Sequence, residues 1–348
     1  MTPQIDPILR AYGCTEAVAA GLPDGALPAR VLRHDRSSLA VICADGRRSL
    51  PTPVRGPEPT VGDWLAVRPP PGGGWDGARV EAVLPRRSLL RRASADGTGQ
   101  QALAANVDVV LIVCGADRPL SAGRVQRAAT QAWDADADPV LVLTKARAPG
   151  AADLDVPRIE LEVPGVLVTV TSVLEGMGLA EVRARIRGLT AVLVGESGAG
   201  KSTLANALLG RDEEATGSVR ERDRKGRHTT SARHLHLLPG DGGVIIDTPG
   251  LRSLGLFADA DAVDAGFGDI AELALSCRYR DCEHVAEPGC AVRAALDEGR
   301  LPEARYESWL RLQREVASAQ LRADPSQARR AGKQLARLQR SVAGRKGP

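Results

Sequence analysis

Gly195-Glu196-Ser197-Gly198-Ala199-Gly200-Lys201-Ser202 reads G-x-x-x-x-G-K-S. The apolar run Thr190 to Val194 precedes it, and Thr203 to Leu209 follows with apolar residues at helical spacing before Gly210. A buried strand, a glycine loop and a helix in that order leave few folds open. The glycines let the backbone wrap an anion, so that successive N–H groups and the helix start point at it. The pattern predicts a polyphosphate cradle, with Lys201 reaching the terminal phosphates and the Ser202 hydroxyl on magnesium.

Four more apolar runs carry the same texture: Val107 to Cys114, Val140 to Leu143, Val166 to Val170 and Gly243 to Ile246. Helix-length segments such as Ser121 to Trp133 separate the earlier ones, as expected of buried parallel strands. The predicted fold is multidomain α/β with a doubly wound sheet at its centre. The last run leads into Asp247-Thr248-Pro249-Gly250. At a strand end, such an Asp holds magnesium through water and the Gly N–H senses a γ-phosphate. Between the two motifs, Arg220 to Thr230 is charged and polar. It suits a loop ordered by triphosphate, with Thr229 and Thr230 as candidate hydroxyls, or simply a solvated charged loop.

Order is the unusual feature. A strand ending in Leu143-Thr144-Lys145-Ala146-Arg147 and a second loop, Thr169-Val170-Thr171-Ser172, resemble base-contacting segments, yet both come before the phosphate loop. A circular permutation accounts for this, because a packed sheet survives when its natural ends lie close together.

The flanks differ from the sheet. Residues 1–25 read as a loose arm, and residues 26–92 as short strands broken by Gly and Pro, which predicts a small barrel of oligonucleotide-binding type. Arg86, Arg87, Arg91 and Arg92 would meet phosphates there, or form a solvated edge of a structural barrel. Residues 93–258 form the nucleotide domain and 259–348 a zinc-binding, basic helical domain in this reading. Cys277-x4-Cys282-x-His284-x5-Cys290 supplies three thiols and an imidazole, a closed tetrahedral zinc set with no open position for catalytic water. The basic tail suits RNA phosphates or a solvated helix. With 46 basic and 43 acidic side chains the net charge of +3 names no partner by itself. The N-terminus has no signal-peptide pattern and no apolar run suits a bilayer, so a cytoplasmic protein without membrane contact is expected.

These residues together resemble the RsgA (YjeQ) family of circularly permuted GTPases that depend on the small ribosomal subunit. Val61-Gly62-Asp63, Gln101-x4-Asn106-x-Asp108, Gly226-Arg-His-Thr-Thr230 and the Cys277, Cys282, His284, Cys290 spacing carry the likeness, which covers nearly the whole chain. The resemblance implies GTP hydrolysis with magnesium, one structural zinc, rRNA contact, and a role late in maturation of that subunit, with the protein expected as a monomer. Its nucleotide-binding set is Thr144, Lys145, Ala146, Arg147, Ser172, Gly195 to Thr203, Asp247 and Gly250.

Two positions depart from the pattern of nucleotide hydrolases. The base motif T-K-x-D ends here in Arg147, whereas a carboxylate would accept from guanine N1–H and N2–H. Arg has only donors, so weaker and less guanine-selective binding is expected. Leu251 stands where Ras-like enzymes place a water-orienting Gln, and His228 is the candidate substitute, or an ordinary loop histidine. The alternative function is a catalytically weak, nucleotide-binding RNA scaffold on the ribosome.

Overall fold

The computed structural model describes residues 5–35, 37–53, 56–93, 100–148, 154–211, 233–240, 242–247 and 267–323. The chain divides into two compact units, Met1–Arg91 with Ala102–Leu254, and Arg92–Gln101 with Gly255–Pro348.

The first unit opens on two short helices, α1 (Pro7–Ala11) and α2 (Glu16–Ala20). The expectation of a loose arm is corrected here. Asp6 and Thr15 cap them by accepting from Ile8 and Val18 N–H, and Leu9, Tyr12 and Cys14 are buried. Two N-caps and a few apolar anchors stabilise helices too short to stand alone.

Strands β1 (Leu27–His34), β2 (Ser38–Cys43), β3 (Gly46–Pro51), β4 (Trp64–Arg68) and β5 (Arg79–Val83) form an antiparallel sheet in the order β3-β2-β1-β4-β5. It curls into a barrel-like form in which the outer strands β3 and β5 approach each other. Alternate residues Ala29 and Val31, Leu39 and Val41, Leu65 and Val67 fill the interior. Strands β6 (Leu89–Ala93) and β7 (Gln100–Ala105) pair as a separate ribbon.

The nucleotide sheet follows, with β8 (Val109–Gly115), α3 (Ala122–Asp134), β9 (Asp138–Thr144), α4 (Val156–Glu162), β10 (Leu167–Val170), α5 (Leu179–Arg185), β11 (Thr190–Val194), α6 (Lys201–Leu209), β12 (His234–Leu237) and β13 (Val244–Asp247). Its spatial order is β10-β9-β8-β11-β13-β12, parallel except for β12. One face packs Val110, Ile112, Leu141 and Val192 with Val125 and Ala129 of α3. The other packs Leu111, Val142 and Leu193 with Val182 of α5 and Leu204 and Leu208 of α6. Both faces are covered, which is why these strands are apolar without alternation.

Strand β12 is an edge strand that His-Leu-His-Leu does not announce; the β13 backbone recruits it. His236 is held down to about 4, chiefly by burial and then by Arg211 and its neighbours. The folded state therefore refuses a proton that the unfolded chain takes up near 6.5. Stability is expected to fall as pH drops from 6.5 towards 4. In His236→Phe, urea midpoints measured across that interval should lose part of this acid dependence; an unaltered slope would show that other groups carry it.

The second unit contains α7 (Gly268–Ala274), α8 (Ala291–Asp297) and α9 (Glu303–Ala323). Phe267, Ile270, Val292, Leu301, Tyr306 and Trp309 form its small core. The Arg305 guanidinium lies over Phe267 at 4.4 Å and is paired with Asp269. No described helix is long and apolar enough to cross a membrane.

Candidate nucleotide site and metal centre

Strands β8, β9, β10, β11 and β13 run parallel, so their carboxyl ends share one edge of the sheet, where open α/β sheets bind their ligands. Lys145 and Lys201 therefore serve the same edge. A direct bond joins the two loops: the Thr144 hydroxyl donates to the Ala199 carbonyl at 2.5 Å and lies 3.2 Å from that of Cys114.

The phosphate loop needs its glycines for measurable reasons. Gly195 has φ +143°, and a Cβ there would stand 2.2 Å from the Val113 carbonyl oxygen. Gly200, at φ +89°, starts α6 as its N-cap. That left-handed backbone aims the first N–H groups of the helix into the loop. The Lys201 ammonium curls onto the Gly195 and Glu196 carbonyls at 2.7 and 2.6 Å. Ser202 is exposed in the first helical turn. Glu196 pairs with Arg124 of α3 and lies 3.9 Å from Arg118. Asp247 ends β13, which is hydrogen-bonded to β11, so it reaches the edge beside the loop. His228, Thr229, Thr230 and Gly250 lie outside the described residues.

On the base side, Lys145 takes φ +60° and its ammonium donates to Asp117 at 2.7 Å. That hydrogen bond holds the Asp117 carboxyl below its usual range. Sequence reasoning missed Asp117, although a carboxylate just beyond the end of β8 matches the logic applied to Asp247. Arg147 is exposed, in a turn closed by the Ala148 N–H on the Lys145 carbonyl at 3.0 Å. The Ala146 N–H bonds the Thr171 carbonyl at 3.2 Å, joining the two base loops. Ser172, at the second base-side loop, exchanges both N–H···O bonds with Met177, at 3.1 and 3.0 Å.

Two motif pairs prove to be a joint between barrel and sheet. Asp63 accepts from the Thr60 N–H and from Arg86, both near 2.7–2.8 Å. The Asn106 amide donates to the Gly62 carbonyl at 3.1 Å. Asp108 accepts from the Thr190 N–H and from Arg87, each at 2.7 Å. Arg86 and Arg87 are thus engaged with carboxylates.

In the second unit the ligand atoms of Cys277, Cys282, His284 and Cys290 lie within 4.8 Å of one another. Cys277 Sγ is 3.4 Å from His284 Nδ1 and 3.9 Å from Cys290 Sγ, and Cys290 Sγ is 3.5 Å from His284 Nδ1. Tetrahedral zinc, with bonds of about 2.3 Å to sulfur and 2.0–2.1 Å to nitrogen, spaces its ligands by about 3.5–3.8 Å. The cluster fits a four-ligand metal ion. Burial raises the Cys277 thiol, but N–H donors from Ala291 and Val292 and the adjoining thiols outweigh it and hold that thiol low. His284 is fixed by Trp309, with ring centres 5.6 Å apart, and by the Tyr306 hydroxyl on its carbonyl.

A phosphate loop on a sheet whose base-side strands come first in the chain defines a circularly permuted P-loop nucleotide-binding protein. The RsgA GTPase family profile matches residues 83–257. A Streptomyces coelicolor protein described as small ribosomal subunit biogenesis GTPase RsgA is 45% identical over 309 residues, covering 86% of this chain and 83% of that one. One of the same description from Opitutus terrae is 44% identical and covers 87% of each chain. This chain belongs to the RsgA GTPase family. The crystal structure of YjeQ from Thermotoga maritima superposes with a TM-score of 0.62 at 25% identity, over 84% of this chain and 99% of that one. YloQ, a circularly permuted GTPase, gives 0.60 at 23% identity, over 85% and 96%, and shares the fold.

Proposed function

We propose that this protein is a magnesium-dependent GTPase that acts in biogenesis of the small ribosomal subunit. The observation that carries the reading is the Thr144–Ala199 bond, which ties a base-side loop to the phosphate loop in a member of this family. Gly195 to Thr203 cradle the phosphates, and Lys201 balances charge that develops on the terminal phosphoryl group. Ser202 and Asp247 would hold magnesium, which would supply positive charge to offset that of the phosphates. Thr229, Thr230, Gly250 and His228 complete the proposed set. Cys277, Cys282, His284 and Cys290 would hold one zinc ion as a structural clip. In this reading residues 26–92 form the barrel, 93–258 the nucleotide domain and 259–348 the zinc-bearing domain. The protein works as a cytoplasmic monomer in contact with rRNA. The scaffold alternative draws on Arg147 alone, while the relatives' descriptions favour the catalyst.

Phosphate release over many turnovers, with and without purified small subunits, tests the proposal. The subunit should accelerate release, and Lys201→Ala should lower the stimulated rate by about 10²–10³-fold. A rate indifferent to Lys201 would remove the phosphate loop from the mechanism.

A further inference from the structure

Strand β8 is hydrogen-bonded to β9 on one side and to β11 on the other. The segment that follows it therefore starts between the base-side loop and the phosphate loop. Arg118 lies on that segment, next to Asp117, and its side chain touches the phosphate loop. Nη1 stands 3.5 Å from the Ser197 carbonyl oxygen, although Arg118 precedes Ser197 by 79 positions. Nη2 lies 3.4 Å from the place a Cβ on Gly198 would occupy, so the guanidinium rests directly against the glycine backbone.

Charge separates this arginine from its neighbours. Lys145, Lys201, Arg118 and Arg124 meet Asp117 and Glu196 along this part of the edge. Lys145 takes Asp117 at 2.7 Å, and Arg124 takes Glu196. Lys201 rests on the Gly195 and Glu196 carbonyls. Arg118 is left with Asp117 at 3.5 Å and Glu196 at 3.9 Å, and no other described carboxylate comes closer. Each of these carboxylates already has a nearer cation. All contacts of Arg118 are longer than the about 2.7–2.9 Å of a charge-assisted hydrogen bond. Its side chain is 40% exposed, so the fork is open to an incoming ligand. A planar guanidinium held this loosely keeps its donors for a stronger acceptor, and phosphate oxygens match its geometry.

We propose that Arg118 is a second phosphate-binding cation of this site, donating to the oxygens of a nucleotide seated in the glycine loop. Asp117, shared with Lys145, keeps the fork over that loop. The inference rests on the GTPase reading and adds to it a binding residue outside the glycine motif. A guanidinium that only propped the loop would need its planar fork; one that binds phosphate needs its charge.

The test is binding of a fluorescent GDP analogue to the full-length protein in magnesium, with displacement by GDP, GTP and IDP. Arg118→Ala and Arg118→Gln should each weaken GDP and GTP by about 10–100-fold, the scale of lost charge-assisted bonds. IDP carries the same phosphates on a base without the 2-amino group, and it should weaken by the same factor as GDP. Arg118→Lys should recover most of the loss, because lysine binds phosphate as a point charge. Thermal midpoints without nucleotide should match the wild type in all three variants. Unchanged affinity in Arg118→Ala and Arg118→Gln overturns the proposal. A lysine variant as weak as alanine also overturns it, by assigning Arg118 to propping the loop. A larger loss for GDP than for IDP would do the same, by placing Arg118 on the base side. Absence of any nucleotide binding by the wild type would instead bring down the GTPase reading itself.

Discussion

Arg30→Met is expected to destabilise the first unit by about 3–5 kcal/mol, the scale seen when one partner of a buried charged network is deleted. Arg30 is 1% exposed and ties its own strand to four other parts of the chain. Its guanidinium donates to the Tyr12 carbonyl beyond α1, to Gly62 at 3.2 Å between β3 and β4, to Asn106 at 3.4 Å, and to the Thr190 hydroxyl at 2.9 Å. It also lies 5.4 Å from the Trp64 ring centre. Burial lowers its pKa to about 10, opposed by Asp108 and Asp63, so it stays charged at neutral pH. Methionine fills similar volume yet strands buried acceptors, each costing about 1–3 kcal/mol before relaxation or water entry. Lysine would restore one or two bonds and recover only part of the loss, because a point ammonium cannot copy a planar fork. Urea denaturation of the three proteins decides the matter. A Met variant within about 1 kcal/mol of wild type would mean that the arginine is replaceable packing, as some buried ionic groups are.

Stripping the metal from the Cys277 cluster, or replacing Cys282 with Ser, should unfold the lobe that holds α7 and α8. The core there is small, and Cys290 belongs both to it and to the ligand set. Cys290 also N-caps α8, since its sulfur accepts from the Arg293 N–H at 3.4 Å. A structural zinc ion contributes about 10–16 kcal/mol of apparent binding energy in small domains, much of the folding energy such a lobe has. Treatment with a strong chelator should release about one zinc per chain. It should also lower helical circular dichroism and open the segment around residues 267–312 to protease. A chelated protein that keeps its helix content and protease resistance would reduce the cluster to a surface feature. Magnesium-dependent nucleotide binding should persist, because none of the phosphate-loop residues is in the cluster.

Much of this architecture is legible in the chain before any coordinates. The strand-loop-helix around Gly195 to Leu209, the apolar runs of β8, β9, β10 and β13, and the four metal ligands are local patterns. Each is dictated by short-range chemistry: glycine conformational freedom, burial on both faces of a strand, and thiols spaced to share an ion. The permuted order is readable too, because it is a statement about sequence.

Tertiary structure decided the remainder. That α1 and α2 are ordered depends on what their apolar residues meet. That Gly62, Asp63, Asn106 and Asp108 form a joint depends on partners dozens of residues away. Strand β12 exists because β13 offers it a hydrogen-bonding edge. Asp117 becomes part of the site only because β8 lies next to β9. Sequence fixes which chemistry each residue brings; long-range strand order determines which residues can act on the same atom, since that proximity arises from folding and leaves no trace in spacing along the chain.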